Sequence, residues 1–102
     1  METENKYSIV LLVTFNEGGM QMPEFKEYSE RATANIEAFG GETVEKYMIE
    51  KNMEGGEAPQ MVAVINFPSR EKADAALSTE EYQNLIPLRN VVFKEIRTLI
   101  TK

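Results

Sequence analysis

Cysteine, histidine and tryptophan are all missing from the 102 residues. Without cysteine there is no disulfide, no thiolate nucleophile and no zinc or iron–sulfur site built on sulfur. Without histidine the chain also lacks the commonest transition-metal ligand, the usual haem ligand and the side chain best suited to acid–base work near neutrality. A protein with no cofactor and no metal is therefore expected. Long hydrophobic runs are lacking too: no segment approaches the ~18 consecutive apolar residues of a membrane span. Positive charge is scarce, with 11 basic against 17 acidic residues and a net charge of −6, a balance that opposes a phosphate backbone. Neither a membrane nor a nucleic acid is expected as a partner. The first residues, METENKYSIV, place no basic region before an apolar one and do not read as a secretory signal, so the expected location is cytoplasmic.

What remains is the composition of a globular domain, 42% hydrophobic and 27% charged, with length for one core and one domain over 1–102. The run YSIVLLVTF, Tyr7–Phe15, alternates Tyr7, Ile9, Leu11, Val13 and Phe15 against Val10 and Leu12, a strand apolar on both faces. Pro23 suits a first helical turn, and Phe25, Tyr28, Ala32, Ile36 and Phe39 then recur at three- and four-residue spacings. Glu27 and Arg31 form an i,i+4 pair, and Gly40–Gly41 stops this helix. Strands are expected over Thr43–Lys51, Met61–Phe67 and Val91–Ile100. In the last of these Val92, Ile96 and Ile100 would share one face, and Val91, Phe93 and Leu99 the other.

Between the third and fourth strands the sequence signals a helix start twice. Ser69 caps a first piece with Ala73, Ala76 and Leu77 inward; Ser78, with Glu81 three residues on, resembles a capping box for a second piece carrying Tyr82, Leu85 and Ile86. Pro87 is expected to end that piece. The whole order is a ferredoxin-like βαββαβ α+β fold with a split second crossover. Its four-stranded antiparallel sheet should run 4-1-3-2, with the helices on one face. The other face would stand bare and apolar, and something should cover it. RNA is one known cover for this topology, but QMVAVINF lacks the basic–glycine–aromatic pattern of an RNA-recognition motif. A second copy of the same sheet is the better expectation.

The segments PEFKEY, AFGG and FPSREKADAALSTEEYQNLIPLR resemble the domain of unknown function 1330 family, small proteins of the dimeric α/β-barrel superfamily, over nearly the whole chain. The resemblance implies a homodimer of ferredoxin-like subunits packed sheet against sheet, as in antibiotic-biosynthesis monooxygenases and muconolactone isomerases. The chain departs from the family pattern at Glu42 and Glu45, where a basic residue is usual, and at Ala75, Ala76 and Leu77, where an aromatic is usual.

Tyr28 and Tyr82 match tyrosines of that pattern and lead the candidates for lining a ligand pocket; ordinary core packing is the plain alternative for both. Arg89 could hold a carboxylate or enolate oxygen, or simply form a salt bridge or cap. Asn66 could polarise a carbonyl, or satisfy a turn. Glu42, Glu45, Glu50 and Glu54 read as a solvated strand edge before a hard-cation site. The expected pocket lies between sheet and helices, lined by Tyr28, Tyr82 and Arg89, floored by Ile9, Leu11 and Asn66, and widened by Ala73, Ala75 and Ala76. It would take a small, largely apolar molecule. Two function classes follow: a binding or structural module, or a cofactor-independent enzyme, monooxygenase- or isomerase-like, acting on an aromatic or lactone-like compound.

Overall fold

The computed structural model describes residues 7–101; the start of the chain, read above for the lack of a secretory signal, lies outside them up to Lys6. Four strands, β1 Tyr7–Phe15, β2 Glu42–Met48, β3 Met61–Phe67 and β4 Phe93–Ile100, pair in the antiparallel order β2-β3-β1-β4. Three helices, α1 Pro23–Ala38, α2 Arg70–Leu77 and α3 Glu80–Val92, complete a ferredoxin-like α+β fold, with a single 3₁₀ turn at Gly19–Gln21 before α1.

The turn after α1 follows from its glycines. Gly40 sits at φ 82°, where a side chain would strain, and its N–H donates to Glu37 O at 3.0 Å while Gly41 N–H donates to Ile36 O at 2.9 Å. These two bonds satisfy the last helical carbonyls in the Schellman pattern. Gly41 is needed for a second reason: a Cβ there would meet Ile36 Cγ2 and lie 2.6 Å from Phe67 Cε1.

The split crossover is present, with two corrections. The cap of α3 is Thr79, whose hydroxyl accepts from Tyr82 N–H at 2.9 Å; Ser78 instead donates to Asp74 O at 2.8 Å, closing α2. Pro87 does not end α3, which continues to Val92 and takes Val91 and Val92 from the expected strand. Pro87 and Gln83, whose carbonyl loses its helical donor, are both exposed, so the unmade bond faces water. Leu85 and Val92 are 0% exposed, and their burial holds the helix through the proline. Asn16 then caps its end: its side chain donates to Asn90 O and Val91 O at 3.3 and 3.0 Å, and its N–H to Val92 O at 2.9 Å.

Two strand details also differ from the sequence reading. β2 stops at Met48 rather than Lys51, because its partner β3 begins at Met61 and the chain before it carries Pro59, which has no N–H for a ladder. In β4 a bulge sets Thr14 opposite Glu95 but Phe15 opposite Phe93, leaving Lys94 as the extra residue. Phe93 is thereby turned to the helix side with Ile96, and away from Leu99.

Ile9, Val13, Phe15, Met61, Ala63, Ile65 and Phe67 face the helices and are buried, in agreement with the alternation. They pack as two groups. One gathers Ile9, Ile65 and Phe67 under Ala73 and Ala76 of α2; the other joins Val13, Phe15, Met61, Val92 and Phe93. Leu11 touches both, and the space between them is where the cavity lies. On the opposite sheet face the paired rows include Tyr47, Val62, Leu12 and Arg97, then Glu45, Val64, Val10 and Leu99, with no helix among the described residues over them. No helix among the described residues is long and apolar enough to cross a membrane.

Candidate functional site

Two residues of α1 one turn apart, Arg31 and Asn35, bond this helix to the crossover. Asn35 donates through Nδ2 to Ala76 O at 2.8 Å and accepts from Thr79 Oγ1 at 3.0 Å, so a buried amide pins α1 to the junction of α2 and α3. One turn earlier, Arg31 binds Glu81 of α3 with Nε to Oε2 at 3.1 Å and Nη2 to Oε1 at 3.3 Å, and Nη1 takes Glu27 at 3.0 Å. These bonds to Glu81 first, then to Glu27, raise the Arg31 pKa. Neither Asn35 nor the cross-helix role of Glu81 was legible beforehand: a polar residue beside an apolar stripe was the only signal for the first, and Glu81 read as a capping residue.

Tied to the crossover by these contacts, α1 roofs a cavity of about 130 Å³. Its floor is Ile9, Leu11, Val13, Ala63 and Ile65; Tyr28, Ala32 and Ile36 descend from α1, Leu77 and Tyr82 come from the crossover, and Phe93, Ile96 and Thr98 from β4. Thr43 and Lys46 of the edge strand β2 stand at its exposed side, a contribution that the sequence reading did not include. Ala73 and Ala76 do not widen it, being packed instead against Ile9, Ile65 and Phe67.

Tyr28, Tyr82 and Arg89 come together. Tyr82 lies about two helical turns before Arg89 on the same face of α3, and Arg89 Nη1 donates to Tyr82 Oη at 3.0 Å. Arg89 stands behind Tyr82 and off the cavity wall, with its Nε buried and without a partner among the described residues. Tyr28 packs edge-on against Phe93, ring centroids 5.2 Å apart. Burial, followed by the neighbouring Tyr82, pushes its hydroxyl pKa up to about 12, with Arg89 pulling the other way.

Asn66 does not join them. It sits between Ile65 and Phe67, both turned to the helices, so strand alternation sends it to the opposite face, where Ser8 Oγ donates to its Oδ1 at 2.7 Å. Strand parity already contained this answer. Among the described residues no three acidic side chains lie close enough together to hold a metal ion.

Solved structures with the same fold share little sequence with this chain. A protein of unknown function from Rhodopseudomonas palustris, RPA0582, superposes with a TM-score of 0.80 at 17% identity, over 98% of this chain and 83% of that one. SnoaB, a cofactor-independent oxygenase from Streptomyces nogalater, gives 0.66 at 11% identity over 95% and 91%. A dimeric protein of unknown function with a ferredoxin-like fold from Bacteroides fragilis gives 0.59 at 10% over 95% of each. No curated protein matches the chain in sequence. The family resemblance carried by the helix and crossover segments extends through the sheet they cover: residues 7–101 match the model described as domain of unknown function (DUF1330), and the chain belongs to that family.

Proposed function

We propose that this protein is a homodimeric binding module that holds one small, largely apolar molecule per subunit between α1, the crossover and the sheet. The observation that carries this reading is the cavity itself, about 130 Å³ with an aliphatic floor and a tyrosine pair at its rim. Its size is close to that of the ~150 Å³ apolar cavity known to accept benzene. Few convergent polar groups over an apolar lining is the ordinary make-up of a small-ligand site.

The second copy is inferred from the uncovered sheet face, where Val10, Leu12, Val62, Val64 and Tyr47 lie side by side across three strands. A twofold arrangement would cover both copies of this patch at once. The Bacteroides fragilis neighbour, described as dimeric, supports it. Light scattering should give twice 11.6 kDa at micromolar concentration; a mass of one chain there would remove the dimer. Ligand occupancy is tested by NMR titration with toluene, where shifts confined to Ala32, Ile36, Ala63 and Ile96 are expected, and none at saturating toluene would remove the pocket reading. The alternative, a cofactor-independent enzyme acting on an aromatic or lactone-like compound, draws its support from the SnoaB likeness, which is one of fold.

A further inference from the structure

Arg89 brings a positive charge into the seam between α1 and α3 without a carboxylate among the described residues to meet it. Among the described residues it forms no ion pair, its Nη1 reaches Tyr82 Oη, and its Nε is buried with nothing to bond. A buried guanidinium N–H ordinarily has an acceptor, because leaving it unmet costs the desolvation of that donor.

The same contact decides what Tyr82 can do. A phenol carries one proton, and since Tyr82 Oη accepts from the guanidinium, that proton is left to donate elsewhere. No acceptor for it occurs among the described residues, nor for the hydroxyl of Tyr28 on the same cavity wall. Burial keeps the Tyr28 proton in place, so it is a donor as well. Two O–H donors, one polarised by a cation, thus flank an apolar-floored cavity near the size of one that accepts benzene.

We infer that Tyr28 and Tyr82, with Arg89 behind Tyr82, form an oxyanion-binding pair that selects the ionised form of a single-ring phenol. Two donors satisfy one phenolate oxygen and the aliphatic floor takes its ring, while the charged and polar groups Lys46 and Thr43 stand at the exposed side of the cavity. The ring occupies the floor over Leu11 and Ala63. On binding, the phenol O–H bond breaks, the electron pair stays on oxygen between the two tyrosines, and the proton leaves to solvent. This inference rests on the small-molecule reading of the cavity.

The test is a pH titration of 4-nitrophenol, followed by its phenolate absorbance, with and without excess protein, beside a binding titration with toluene. The expected result is a fall of ~1 unit in the probe's apparent pKa, equivalent to roughly tenfold tighter binding of the anion than of the neutral phenol. Tyr82→Phe, Tyr28→Phe and Arg89→Met should each narrow the shift, their folding being checked by thermal denaturation. Nitrophenol bound with no shift, or with a shift upward, overturns the oxyanion pair and leaves the pocket reading standing. Failure of both nitrophenol and toluene to bind overturns both. A full shift retained in folded Tyr82→Phe would also overturn the assignment.

Discussion

Arg31 on α1 and Glu81 on α3 meet in a two-pronged ion pair, at 3.1 and 3.3 Å, that ties the roof of the cavity to its wall. Both side chains are about two-fifths exposed, so solvent screens the pair. Glu81→Gln should lower stability by about 0.2–1 kcal/mol at low salt, with the loss fading in high salt. Urea unfolding at two ionic strengths measures it.

Asn35 has greater leverage because it is buried. Asn35→Ala would leave Ala76 O and the Thr79 hydroxyl proton only the 3.4 Å bond between them, and should cost about 1–3 kcal/mol. Denaturant midpoints compared with Glu81→Gln check the ranking: the buried amide should cost more than the exposed ion pair.

Gly41→Ala places a methyl 2.6 Å from Phe67 Cε1 and against Ile36 Cγ2. Both neighbours belong to the packed group under α2 and have little room to withdraw. A loss of about 1–3 kcal/mol is expected from overpacking, read as a lowered melting temperature.

Tyr28 predicts the alkaline limit. Its pKa is pushed up from 10.0 to about 12 on folding, so the folded state holds the proton that the unfolded state releases. The contribution is complete below pH 10 and is lost as pH rises toward 12. Stability measured across that interval should fall for the wild type, and the fall should be shallower in Tyr28→Phe.

Arg89→Met removes a cation that lacks an ion-pair partner among the described residues. Stability should therefore stay within about 1 kcal/mol of the wild type or rise. Binding of 4-nitrophenolate should weaken by a few-fold, less than the roughly tenfold preference for the anion, because Arg89 acts on it only through Tyr82. Calorimetry on the folded variant separates the two effects; a large stability loss with unchanged binding would make Arg89 a packing residue.

Local pattern determined much of this molecule. Alternation in Tyr7–Phe15 and Met61–Phe67 fixes which side chains face the helices, because a strand has no other way to dispose of them. Gly40–Gly41 stops α1 through a backbone conformation that suits glycine, and Tyr28 falls on the inward stripe by helical period alone. Where contacts distant in the chain compete with a local rule, only the tertiary structure decided. Pro87 would end an isolated helix; burial of Leu85 and Val92 and the cap from Asn16, more than seventy residues earlier, carry α3 past it. Phe93 is turned inward by a bulge that exists only in the pairing with β1. The tyrosine candidates were chosen by the family pattern and the arginine and asparagine by residue type, but the Arg89–Tyr82 hydrogen bond and the cavity beside it depend on how Asn35 and Arg31 set α1 against the crossover. That placement is a sum of many packed contacts, and no short stretch of sequence encodes it.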